Sequence, residues 1–106
     1  MAETRDGAKL GDPALLILAS LAVGAKHGYS MVEDIERFSG ARLGPGTLYG
    51  ALARLEERGL IEAVASADRR RPYRLTALGS RTLAGEVEAL DRVVQLVRLR
   101  LAGSPR

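Results

Sequence analysis

The chain has 106 residues, the length of a single domain, and its 16 lysines and arginines against 13 aspartates and glutamates leave a net charge of +3. Without cysteine it has no disulfide, thiolate metal site or thiol nucleophile, and its single histidine gives an imidazole metal site no second ligand. The longest apolar run, residues 14–23, is too short to cross a bilayer, and the mixed charges of Glu3, Arg5, Asp6 and Lys9 do not make a secretory leader, so we expect a cytoplasmic protein with no membrane partner.

Residues 1–11 are polar, hold two glycines and read as a flexible N-terminal arm. Asp12 is a good N-cap and Pro13 suits the first helical position. The pattern predicts a first helix through Leu15, Leu16, Leu18, Ala19, Leu21, Ala22 and Val23, apolar nearly all round and ended by Gly24. Residues 26–30 read as a short break, with His27 a structural turn residue and Tyr29 a packing residue. A second helix then turns Met31, Val32, Ile35 and Phe38 inward and Glu33, Asp34, Glu36 and Arg37 outward, until Ser39-Gly40 stops it. Leu43 plugs the core from the following turn.

A third helix begins near Pro45. Leu48, Leu52 and Leu55 recur at steps of four and three, on one face, and Gly59 closes the helix. Residues 60–64 read as a strand, 65–71 as a turn and 72–75 as a return strand. Thr76 caps a last helix, whose first turn Gly79 weakens by roughly 1 kcal/mol relative to alanine. Along it Leu83, Val87, Leu90, Val94, Val97 and Leu101 form a heptad-like seam, widened by Val93, Leu96 and Leu99. So broad an apolar face requires cover, and we expect it from the body and from a second copy of the chain.

Charge is distributed unevenly along these elements. Residues 1–41 hold four basic and six acidic side chains, residues 42–81 eight basic and four acidic, and residues 82–106 four basic and three acidic. The positive excess therefore lies with the third helix and the hairpin, as expected of a polyanion binder. With the leucines inward, Thr47, Gly50 and Arg54 face out and Tyr49 lies on the flank. A helix so placed offers its N-terminal residues to base edges, and its free amides attract phosphate. Arg69, Arg70 and Arg71 at the hairpin tip, with Arg74 on the return strand, suit phosphate contacts that add affinity rather than sequence choice. Ser30 and Arg42 complete the candidate DNA-binding set.

Catalysis finds no foothold. Ser30 has no base near it in sequence and no nucleophile elbow, Gly44-Pro45-Gly46 is not followed by Gly-Lys-Ser/Thr, and Glu33, Asp34 and Glu36 are spread around a solvated helix. The expectation is no enzyme, no metal and no cofactor. The fold class is mainly α with a small β-hairpin: a winged helix-turn-helix over 12–78, then a C-terminal dimerisation helix and tail over 79–106. A winged-helix protein-interaction module that does not bind DNA directly is the alternative; it predicts no salt-dependent DNA affinity.

The runs Leu15-Leu16-Ile17-Leu18, His27-Gly28-Tyr29-Ser30-Met31, the long stretch from Gly46-Thr47-Leu48-Tyr49-Gly50 to Arg58-Gly59-Leu60-Ile61, and Arg71-Pro72-Tyr73-Arg74-Leu75-Thr76-Ala77-Leu78-Gly79 together resemble the PadR family of transcriptional regulators. The resemblance covers roughly residues 12–101. It implies a homodimeric repressor whose two recognition helices enter successive major grooves of double-stranded DNA at an inverted repeat, about one turn apart. It places Thr47, Tyr49 and Gly50 at the DNA surface and Arg69–Arg71 on the backbone. The single short terminal helix is similar to the smaller subfamily, which includes multidrug-responsive repressors. Those relatives stack planar ligands on aromatic side chains at the dimer centre; this terminal helix has none, so the resemblance identifies no effector.

Overall fold

The computed structural model describes residues 12–66 and 70–103. The expected N-terminal arm and Arg69 lie outside the described residues. Four helices and a two-stranded hairpin run in the order α1 (Pro13–Leu21), α2 (Gly28–Ser39), α3 (Pro45–Glu57), β1 (Ile61–Ala63), β2 (Tyr73–Leu75) and α4 (Ala77–Gly103). Helix α1 sits in the middle and packs on α2, α3, β2 and the start of α4.

The Asp12 side chain accepts a hydrogen bond from the Ala14 N–H at 2.8 Å, which fixes the start of α1. Leu16, Ile17, Leu18 and Leu21 are buried. The helix stops at Leu21, short of the expected Val23, and Val23 is 84% exposed. The cause is long-range. The chain turns at Gly24, whose φ is 147°, so that Lys26 can exchange both backbone hydrogen bonds with Tyr73, at 3.1 and 2.9 Å. Lys26 is thereby a one-residue third strand of the hairpin sheet.

Helix α2 starts at Gly28, three residues before the sequence pattern suggests, and buries Met31 and Ile35 completely. Phe38, expected inside, is 49% exposed in the last turn; Ala41 and Leu43 close the core there instead. Gly40 ends α2 in the left-handed region, with its N–H donating to the Glu36 carbonyl. Ser39 braces the turn: its hydroxyl donates to the Ile35 carbonyl and accepts from the Ala41 N–H.

Helix α3 buries Leu48, Ala51, Leu52 and Leu55, the stripe read from the sequence with one alanine added. Its end is a Schellman closure. The Gly59 N–H donates to the Glu56 carbonyl and the Leu60 N–H to the Leu55 carbonyl, with Gly59 at φ 76°. The two strands pair antiparallel with Ile61 opposite Leu75, Glu62 opposite Arg74 and Ala63 opposite Tyr73. Ile61 turns into the core while Glu62 and Arg74 turn out, the period of two that a half-buried strand requires.

Helix α4 is 27 residues long, about 40 Å at 1.5 Å per residue, and it stretches the molecule to 60 Å against 32 and 21 Å in the other directions. Only its beginning touches the body. Gly79 is buried, Thr82 and Leu83 are partly buried, and every residue from Ala84 to Gly103 is exposed. Leu83, the first residue of the expected dimer seam, packs against the core of its own chain.

Candidate nucleic-acid interface

Helix α3 has two faces with opposite fates. Behind it, Leu48, Leu52 and Leu55 are within 2% of complete burial. In front, Thr47 and Arg54 are exposed, Tyr49 is 57% exposed and Gly50 is half-buried. Thr47, Gly50 and Arg54 lie three and four residues apart, so they share one outward stripe beginning at the helix N-terminus. A methyl group on Gly50 would meet Arg54 at 3.6 Å, an ordinary contact, so the fold itself does not demand glycine there.

Gly28 is different. A methyl group there would come within 3.0 Å of the Tyr49 Oη and 3.2 Å of Leu48 Cδ2. The Tyr49 phenol therefore lies over the first turn of α2. Ser30 belongs to that same turn and is partly buried. Its neighbour Tyr29, expected to pack inward, is instead 63% exposed. Two helix N-termini are thus bridged by one tyrosine, with a second tyrosine free at the edge. The sequence carries no local signal for the Gly28 contact, because the close approach comes from side chains of another helix.

Three arginines of the candidate set, Arg42, Arg71 and Arg74, are paired with surface carboxylates. Arg42 pairs with Glu36 at the end of α2. Arg74 donates to Glu62 across the two strands at 2.8 Å. Arg71 lies 3.7 Å from Glu56 on α3 and 5.7 Å from the centre of the Tyr73 ring, so it ties the hairpin base to the helix. Arg70 is exposed. Exposed pairs of this kind are worth about 0–1 kcal/mol each, so they oppose a competing anion only weakly.

A polar cluster behind the interface fixes the third strand. The Lys26 ammonium donates to the Ser20 carbonyl at 2.5 Å and lies 3.8 Å from Asp34. The fully buried Ser20 hydroxyl donates to Asp34 at 2.7 Å, and Arg37 approaches its other oxygen at 3.5 Å. The Ser20 hydrogen bond holds the Asp34 carboxyl below the ordinary carboxylate value against partial desolvation, with Lys26 and Arg37 adding to the effect. This cluster joins α1, α2 and the hairpin sheet. Among the described residues, no group of three or more histidine, aspartate or glutamate side chains is placed to hold a metal ion, and no helix is long and apolar enough to cross a membrane.

Residues 17–85 match the transcriptional regulator PadR-like family. The chain belongs to that family. It is 36% identical over 86 residues to a transcriptional regulator of Mycobacterium tuberculosis, a match covering 78% of this chain and 79% of that protein. It is 44% identical over 85 residues to an uncharacterised protein of a Streptomyces fradiae transposon. That match covers 80% of this chain, but the chain spans only 25% of the transposon protein's length. Among solved structures, a PadR family transcription regulator of Clostridium difficile superposes with a TM-score of 0.77 at 26% identity, covering 86% of this chain and 99% of that one. PadR-like proteins are DNA-binding transcriptional regulators, not enzymes, and the winged-helix fold of this chain is theirs.

Proposed function

We propose that this protein is a homodimeric repressor that binds an inverted-repeat operator in double-stranded DNA. Helix α3 enters the major groove with Thr47, Tyr49, Gly50 and Arg54, and the hairpin with Arg69, Arg70, Arg71 and Arg74 follows the phosphate backbone. Ser30 and Arg42 meet phosphates on either side of α3. The observation that carries this reading is the split of α3 into a buried leucine face and an uncovered stripe that starts at the helix N-terminus. The first turn of α3 adds free backbone amides, since Gly44 caps it without a side-chain hydrogen bond.

The second copy is proposed to lie along α4, through Val87, Leu90, Val94, Val97 and Leu101, with Leu83 at the edge of the seam. Large apolar side chains from Val87 to Leu101 are 43–72% exposed, far more than a solvated helix tolerates. Charge favours an antiparallel mate. The exposed part of α4 carries Glu86, Glu88, Asp91 and Arg92 in its first half and Arg98 and Arg100 in its second, so opposed helices set a net acidic half against a basic one. In this reading the protein works on cytoplasmic DNA.

Light scattering together with selection of bound genomic fragments tests both halves of the reading. The expected result is a dimer that retains fragments carrying an inverted repeat, with affinity falling steeply as salt rises. A reporter placed behind the retained fragment should fall in output when the protein is expressed. A monomer that retains no DNA at low salt would overturn the proposal, and a rise in reporter output would overturn repression alone.

A further inference from the structure

The first turn of α4 is locked to the end of α3 through its own capping residue, Thr76, and through the close approach of Gly79 to Leu60. The Thr76 hydroxyl donates to the Gly59 carbonyl at 2.6 Å and accepts from the Gly79 N–H at 3.0 Å. The Thr76 N–H donates to the Leu60 carbonyl at 3.1 Å. Gly79 lies so close that a β-carbon on it would sit 1.9 Å from the Leu60 oxygen and 2.9 Å from the Leu60 carbonyl carbon. Those atoms are backbone and cannot swing aside. Gly59 and Leu60 are also the residues that close α3. The end of α3 and the start of α4 are therefore one block. The sequence reading took Gly79 as a weak point in the helix; in the fold it is the residue that lets the two elements touch.

Beyond Leu83, α4 leaves the body, and residues 84–103 extend about 30 Å at 1.5 Å per residue. A tilt of about 10° at the block moves the far end by about 5 Å, more than the 3.4 Å rise of one base pair. A dimer gripping successive major grooves requires its recognition helices about 34–36 Å apart. The angle between α3 and α4 is then the quantity that decides which half-site separation fits.

We propose that Thr76 and Gly79 are positioning residues that set this angle, and through it the half-site spacing the dimer accepts. The proposal rests on the reading above, in which α3 meets DNA and α4 pairs with a second copy. Neither residue touches DNA in it.

The test uses the full chain and a series of duplexes carrying two identical half-sites, their centre-to-centre distance stepped by single base pairs. A duplex with one half-site reads the integrity of α3 separately. Wild type is expected to show one sharp optimum. Gly79→Ala is expected to remain dimeric by light scattering and to bind the single half-site as wild type does. On the series its optimum should move by at least one base pair or flatten, with at least about tenfold lower affinity at the original spacing. Thr76→Val removes both hydroxyl bonds at constant shape and should broaden the optimum, and Thr76→Ser should restore it. If Gly79→Ala does not fold, the two threonine variants decide. Folded, dimeric variants that keep the wild-type optimum overturn the proposal. A wild-type protein that binds no duplex overturns the functional reading first, and this proposal with it.

Discussion

The body from Asp12 to Leu83 and the projecting part of α4 from Ala84 to Gly103 treat their apolar residues in opposite ways. In the body each apolar stripe meets another: Ile17, Met31 and Ile35 have no exposed surface, and Leu48, Leu52 and Leu55 retain almost none. In the projection, Leu99 and Leu101 are 70% exposed or more. Most helical stability in proteins comes from packing an apolar face, and the apolar face of the projection has no such packing within the body. The body is a fold the chain completes alone; in the proposed dimer the projection is completed by a second copy. A regulator needs both, because the body must hold a DNA-facing surface rigid while the projection fixes where a second such surface lies.

The comparison breaks most sharply in the core. Leu52→Ala opens a cavity at the centre of the body and should cost about 2–5 kcal/mol of stability in denaturant titration. Leu99→Ala, the same substitution on the projection, should leave unfolding of the body unchanged. Equal losses for both would mean that the two regions are not distinct.

Val94→Glu acts on the other side. It places a charge in the proposed seam and should yield monomers at concentrations where wild type is dimeric, with a body that still melts cooperatively. Sedimentation or light scattering reads the mass directly, and a variant that stays dimeric removes Val94 from the interface.

Within the DNA-facing surface, two substitutions separate affinity from sequence choice. Arg70→Ala should weaken binding to operator and random duplex alike and flatten the salt dependence by about one unit of slope. Thr47→Ala should weaken operator binding by roughly 1–3 kcal/mol and leave random duplex nearly unaffected. Competition binding at several salt concentrations distinguishes them; identical profiles for the two variants would remove the division of labour between helix and hairpin.

The smallest effect concerns acid. The Asp34 carboxyl is held below its ordinary value in the folded state, chiefly by the Ser20 hydroxyl. Its contribution to stability is therefore complete above the ordinary carboxylate range and is lost as pH falls through the lowered value. Asp34→Asn should be less stable at neutral pH and lose less on acidification. Parallel acid-unfolding curves for the two proteins would show that the cluster with Ser20 and Lys26 carries no such linkage.

Element ends were legible in the sequence wherever they rest on local chemistry. Asp12-Pro13 starts α1, Ser39-Gly40 stops α2, and Gly59 closes α3, each through hydrogen bonds within a few residues. The leucine stripe of α3 was legible for the same reason, since its period is set by the helix itself. What escaped rests on contacts distant in sequence. Lys26 pairs with Tyr73 as a single bridge, too short to show alternation. Gly28 and Gly79 are glycines because other elements approach them, and a sequence read locally sees only their weak helix propensity. Val23, Tyr29 and Phe38 are apolar or aromatic yet exposed, because the outline of the packed body decides which such residues lie outside it. Periodicity and charge single out the candidate DNA-facing residues, and their placement follows from the stripe; the exposure of Tyr29 and the contact of Tyr49 with Gly28 depend on how α2 packs against α3.

Amide hydrogen exchange, with and without a bound operator duplex, tests the central claim most directly. Gly46 and Thr47 lie in the first turn of α3, where amides have no helical partner and exchange quickly unless something covers them. The account predicts strong slowing at residues 46–50 and at residues 70, 71, 73 and 74 on adding the duplex, with α1 unchanged. Slowing confined to α4, or none at residues 46–50 in a complex shown to have formed, would contradict it.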